Sequence, residues 1–115
     1  MGDKKGYLNE LDELILLAVA RLGTQAYGVT IFETLERVAE RPTSIGAIYA
    51  ALDRLEQKGL VSSWLGEATP ERGGRAKKYF KLEGAGKQAL RDAEQTRSLL
   101  RAGLNPGLQS SGGTA

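Results

Sequence analysis

At Gly59 the spacing of apolar residues switches from helical to strand-like, and that switch constrains the fold more than any other feature. Before it, apolar residues recur every three or four positions, as amphipathic helices require; after it they fall in short alternating segments, as strands require. Leu11, Leu14, Ile15, Ala18, Val19 and Leu22 predict a first helix from Leu8 or Asn9 to Leu22, closed by Gly23. Leu16, Leu17 and Ala20 lie off that stripe, so the helix is expected to be wrapped on several sides, with a second subunit among its neighbours. A second helix is predicted from Gly28 to Ala39, burying Val29, Ile31, Phe32, Leu35 and Val38, and Pro42 stops it. Thr43 and Ser44 offer a hydroxyl cap to a third helix that runs to Lys58, with Gly59 as terminator. Two helices joined by a short turn make a helix-turn-helix.

Beyond Gly59, residues 60–66 and 76–82 read as two strands. Between them, Thr69, Pro70, Glu71, Arg72, Gly73, Gly74 and Arg75 form a turn-rich stretch, giving a β-hairpin with a basic tip, placed as a wing. Trp64 on the first strand is expected to pack in the core. From Gly84 to about Gly103 helical spacing returns, and Gly86, Leu90, Ala93, Arg97, Leu100 and Leu104 alternate as in a coiled-coil seam of small apolar area. Residues 105–115 carry no charge and are rich in Gly and Ser, so a disordered tail is expected. The resulting fold class is mainly α with a small β-hairpin (α+β): a winged helix-turn-helix over residues 1–83, a C-terminal dimerisation helix over 84–104, and the tail.

A chain of 115 residues suits one domain, with 41% hydrophobic and 26% charged residues matching a folded core. At this size burial is limited, which favours a core shared between two subunits. The formal charge is only +2, yet Arg72, Arg75, Lys77, Lys78 and Lys81 lie together with no acid among them. Such local excess matters more for nucleic-acid binding than the total. The absence of cysteine and histidine removes thiolate nucleophiles, imidazole bases and the usual zinc ligands. No catalytic, metal or cofactor site is expected, and no enzyme. The longest apolar run, LILLAVA, is far below the roughly 20 residues that cross a bilayer, and acids precede it, so neither a membrane span nor a targeting segment is expected. The lack of cysteine fits a reducing cytoplasm.

On the third helix, Ile45, Ile48, Leu52 and Leu55 share one face, which leaves Gly46, Ala47, Ala50, Arg54 and Gln57 opposite, with Tyr49 on the flank. Small outward side chains let a recognition helix approach base edges and phosphates. Its first-turn N–H groups, with the Thr43 and Ser44 hydroxyls, suit a phosphate. At the wing, Arg72 and Arg75 bracket two glycines and suit a narrow minor groove, while Lys77 and Lys78 extend the patch. The residues expected to contact double-stranded DNA are therefore Thr43, Ser44, Gly46, Ala47, Tyr49, Ala50, Arg54, Arg72, Arg75, Lys77 and Lys78. The alternative for Tyr49 is half-buried packing, and for Arg54 and the wing lysines plain solvation. Asp53 and Glu56 are expected to be spectators or partners of Arg54 and Lys58.

The segments LNELDELILLA (8–18), AYG (26–28), SIGAIYAALDRLEQKGLV (44–61) and GRAKKYFKL (74–82) followed by Gly86 together resemble the PadR family of regulators over residues 8–90. The resemblance implies a homodimeric regulator, usually a repressor, whose third helix and wing bind a pseudo-palindromic operator. It also implies that the C-terminal helix pairs with the partner's N-terminal helix. It places DNA contacts at Ser44, Ala47, Tyr49, Arg54, Arg75 and Lys77. Some relatives bind flat apolar molecules at the dimer centre. Two departures stand out: Glu83 replaces a capping threonine, so its carboxylate caps the last helix or the start shifts, and no aromatic residue follows Phe80. The expected function is a sequence-specific DNA-binding repressor. The alternatives are a regulator responsive to a small apolar effector and a protein-interaction module on the same fold.

Overall fold

The computed structural model describes residues 8–67 and 76–104. The expected wing tip with Arg72 and Arg75, and the expected tail at 105–115, lie outside the described residues. Four helices and one hairpin follow in order: α1 (Glu10–Leu22), a 3₁₀ turn (Gly23–Gln25), α2 (Gly28–Arg37), α3 (Ile45–Gln57), β1 (Val61–Leu65), β2 (Lys78–Leu82) and α4 (Gly84–Ala102). Local chemistry sets these limits. The Asn9 side chain accepts the Asp12 amide at 2.7 Å and opens α1. Ser44 does the same for α3, accepting the Ala47 amide at 3.0 Å. Gly59 turns the chain out of α3 at φ 79°, a conformation that side chains with a Cβ resist.

The core lies where α1, α2 and α3 meet under the hairpin, and is built from Ile15, Leu16, Val19, Ile31, Leu35, Ile48, Leu52, Leu55, Val61 and Phe80. Leu16, expected off the α1 stripe, is fully buried. Its burial, beside half-buried Leu14 and exposed Leu17, moves the stripe's centre toward Asp12, Ile15, Leu16 and Val19. The second helix ends at Arg37, short of Ala39, and Val29 and Val38, expected inside, are exposed. Only Ile31 and Leu35, one turn apart, look into the core, with Phe32 half-buried beside them. Ile45 is exposed as well, because the first turn of α3 projects past the core.

The strands pair antiparallel, with Val61 opposite Leu82, Ser63 opposite Phe80 and Trp64 opposite Tyr79. The Phe80 amide donates to the Ala26 carbonyl at 2.8 Å, and Tyr27 bridges Tyr79, so the segment before α2 adds a rung to the hairpin. Trp64 is not a core residue. It is 42% exposed and stacks on Tyr79, its cross-strand neighbour on the hairpin's outer face.

At its start α4 is pressed onto the domain. A Cβ on Gly86 would lie 2.3 Å from the Leu60 carbonyl oxygen, so glycine alone permits this approach. Glu83 is the N-cap residue, yet its side chain makes no cap bond, and the helix start is not displaced. Its carboxylate instead accepts the Ser62 hydroxyl across the strand. Further along, Leu99 and Leu100 are exposed.

Candidate nucleic-acid interface

Of the described residues expected to meet DNA, all but Arg54 lie on the side of α3 and the hairpin that faces away from α1 or at the border of that side. Gly46 and Ala50 are exposed on α3, Ser44 is exposed at its cap, and Thr43 and Ala47 are half-buried. The Ala47 amide is already bonded to Ser44, and the amides of Ile45 and Gly46 precede any intrahelical partner. A phosphate arriving here would meet those two amides and the Ser44 O–H.

Tyr49 occupies the flank toward α2. Its phenol oxygen lies so close to Gly28 that a Cβ there would sit 2.2 Å away. About half of Tyr49 remains exposed, while its phenol oxygen and the adjoining edge of the ring are seated against the first residue of α2. A groove of about 340 Å³ runs beside it, lined by Tyr49, Ala50, Leu52, Asp53, Glu56, Lys78 and Phe80.

Lys77 and Lys78 each have an internal partner. Lys77 Nζ stands 3.8 Å above the Tyr27 ring centre, and Tyr27 meets Tyr79 edge-on at 5.3 Å. A cation over an aromatic face is attracted by the ring's electron density while its remaining N–H groups stay available. Lys78 Nζ is 3.8 Å from a Glu56 oxygen, and the other Glu56 oxygen accepts the Ser63 hydroxyl at 2.6 Å. Glu56 therefore ties the end of α3 to both strands; it is neither a spectator nor a partner of Lys58. Asp53 likewise bonds within its helix, accepting Gln57 Nε2 at 3.4 Å.

Arg54 departs most from expectation. Helical geometry puts it on the flank of Ala47, two turns earlier, and not among the outward residues. There its guanidinium donates to Asp12 of α1 at 2.7 Å.

The family model described as the transcriptional regulator PadR-like family matches residues 16–92. The chain belongs to that family. The crystal structure of a PadR family transcription regulator from Clostridium difficile R20291 is 26% identical, with a TM-score of 0.67 over 87% of this chain and 99% of that one. A PadR-like transcription factor from Bacteroides fragilis is 29% identical, with a TM-score of 0.69 over 80% of this chain and 84% of that one. A PadR family regulator from Eggerthella lenta DSM 2243 is 26% identical, with a TM-score of 0.66 over 88% of each chain. No curated protein matches significantly. The PadR-like fold is that of a DNA-binding transcriptional regulator. No helix among the described residues is long and apolar enough to cross a membrane.

In this PadR-like chain the first turn of α1 carries ion pairs that periodicity alone did not reveal. Glu10 meets Arg41 at 2.5 Å and Glu13 meets Arg97 at 2.5 Å, beside the Asp12–Arg54 pair. The hydrogen bond from Arg41, and then its charge, hold the Glu10 carboxyl below the usual range. The same bond raises Arg41, as the bond that Arg97 donates to Glu13 raises Arg97. Arg97, expected in the α4 seam, is thereby committed to α1. A signal for Asp12 did exist, since it precedes Ile15, Leu16 and Val19 by three, four and seven residues, on the buried stripe. Tyr27, Gly28 and Glu56 act through contacts distant in sequence, which spacing does not encode.

Proposed function

We propose that the protein is a homodimeric repressor that binds a pseudo-palindromic operator. The carrying observation is the pairing of an exposed, small-side-chain start of α3, at Ser44, Gly46 and, one turn on, Ala50, with Tyr49, Lys77 and Lys78 on its border. The helix start enters the major groove; the lysines and the Tyr49 hydroxyl meet phosphates, and Arg72 and Arg75 follow the wing into the minor groove. Thr43, half-buried, precedes the cap, and Ala47 gives the helix a slim edge. Two copies join through α4, where Leu99 and Leu100 are exposed, with Leu104 just past its end and Leu17 of α1 also exposed. A second chain covering these leucines would bring the recognition helices onto successive turns of duplex. An apolar effector would need the same leucines, so no separate observation favours that reading.

Selection of bound fragments from random duplexes tests this directly. A two-fold-related motif with half-sites about one helical turn or a multiple of it apart is expected. Enrichment of no motif at low salt, or binding as a monomer, defeats the proposal.

A further inference from the structure

The pair between Asp12 and Arg54 joins two elements with different duties. Asp12 is 2% exposed, in the first turn of α1 and on its core face. Arg54 lies 42 residues on, in the last turns of α3, and donates to Asp12 Oδ1 at 2.7 Å. A carboxylate withdrawn from water needs a hydrogen-bonding partner to remain charged at tolerable cost, and Arg54 is the partner this one has among the described residues. About half of the Arg54 side chain stays in solvent, so its stem could swing free if Asp12 did not hold the head. The neighbouring acids extend the pattern: Glu10 binds Arg41 in the turn before α3, and Glu13 binds Arg97 on α4. One helical turn thus grips α3 near its end, the segment leading into it, and the C-terminal helix.

We infer that Asp12 is a positioning residue for DNA recognition: it fixes the rotation of α3 through Arg54, and Arg54 serves that internal latch, not a DNA phosphate or base. The inference rests on the DNA-binding reading above and assigns one residue of the surface a different task. A latch and a contact leave different traces in binding. Losing a phosphate contact weakens specific and random duplexes alike and lowers the slope of log affinity against log salt by about 1. Losing a latch lets α3 rotate, which weakens the specific site and leaves the phosphate count unchanged.

The test compares full-length Asp12→Asn, Arg54→Gln and the double variant for binding to the selected operator and to a random duplex over a range of salt. Each single variant is expected to lose about tenfold in affinity for the operator, with random-duplex affinity and salt slope unchanged. The double variant should lose no more than the worse single one, because the two changes break one interaction. Should an uncompensated charge unfold a single variant, the double variant, which keeps neither charge, carries the same readout. A salt slope reduced by about 1 in Arg54→Gln, or full operator affinity in the double variant, overturns the inference. Amide exchange on the free protein separates this failure from that of the function itself. Faster exchange across residues 52–57 in Asp12→Asn supports the latch even if no duplex is bound, and unchanged exchange there rejects it.

Discussion

Helices α1 and α4 both pack on other elements of the domain, and they are finished to different degrees. Helix α1 buries Ile15, Leu16, Ala18 and Val19 and binds arginines on three other segments within its first turn. Helix α4 buries only Gly86 and Ala89 near its start, with Leu90 half-buried, and then leaves Leu99 and Leu100 in solvent. One helix buries most of its apolar residues within the chain and leaves Leu17 in solvent. The other is packed in its first turns and tied again to α1 through Arg97, and its exposed Leu99 and Leu100 are what a second copy would cover.

The sharpest way to break this contrast is Leu16→Ala. Leu16 is fully buried, and removing its side chain leaves a cavity between α1 and the rest of the core. A loss of about 2–5 kcal/mol is expected in urea unfolding. A loss below about 1 kcal/mol would mean that α1 is held no more firmly than a surface helix. Gly86→Ala probes the packed end of α4, where the new methyl meets the Leu60 carbonyl, a backbone atom that cannot swing aside. About 1–3 kcal/mol of destabilisation is expected. The equivalent change at Gly28 meets only the end of the Tyr49 side chain. Gly28→Ala should therefore spare most of the stability and displace the phenol, lowering operator affinity.

Leu100→Ser tests the unfinished end. In a single chain the side chain is 72% exposed, so the unfolding midpoint at high dilution should move little, within about 0.5 kcal/mol. If two α4 helices meet there, the dimer dissociation constant should rise about tenfold in sedimentation equilibrium, since burying a leucine is worth about 1.5–3 kcal/mol. The rise of the midpoint with protein concentration should flatten at the same time. An unchanged dissociation constant would move the dimer contact elsewhere.

The same contrast shows which parts of the structure were legible in the residues. Helix starts at Asn9 and Ser44 and the turn at Gly59 are local events, written within four residues of each other, and they stand where spacing places them. The hairpin and α4 were likewise readable from the change of period. What spacing missed is non-local. Val29, Val38 and Ile45 are apolar on helical stripes but lie at helix ends, beyond the reach of the core they would have joined. Trp64 found an aromatic partner outside the core, on the opposite strand. Arg54 stands on the flank of α3, and no pattern within that helix reveals an acid buried on α1. At the candidate interface, residue types were legible; the internal partners that orient Tyr49, Lys77 and Lys78 required the fold.

The mildest test concerns Glu10, at the solvent edge of the same first turn. Its carboxyl is held below the usual range by the hydrogen bond and charge of Arg41. A group whose folded pKa is depressed adds stability that is fully present above its unfolded pKa and is lost as pH falls through the folded one. Wild type and Glu10→Gln should therefore differ most near neutrality and converge in acid, below the ordinary carboxylate range. Because both partners are exposed, the neutral-pH gap should be small and shrink further with salt. Unfolding midpoints of the two proteins over a pH series at low and high salt measure this. A gap that persists in acid would mean that Glu10 contributes through packing or helix capping, and the ion pair to Arg41 would then be a surface contact without energetic weight.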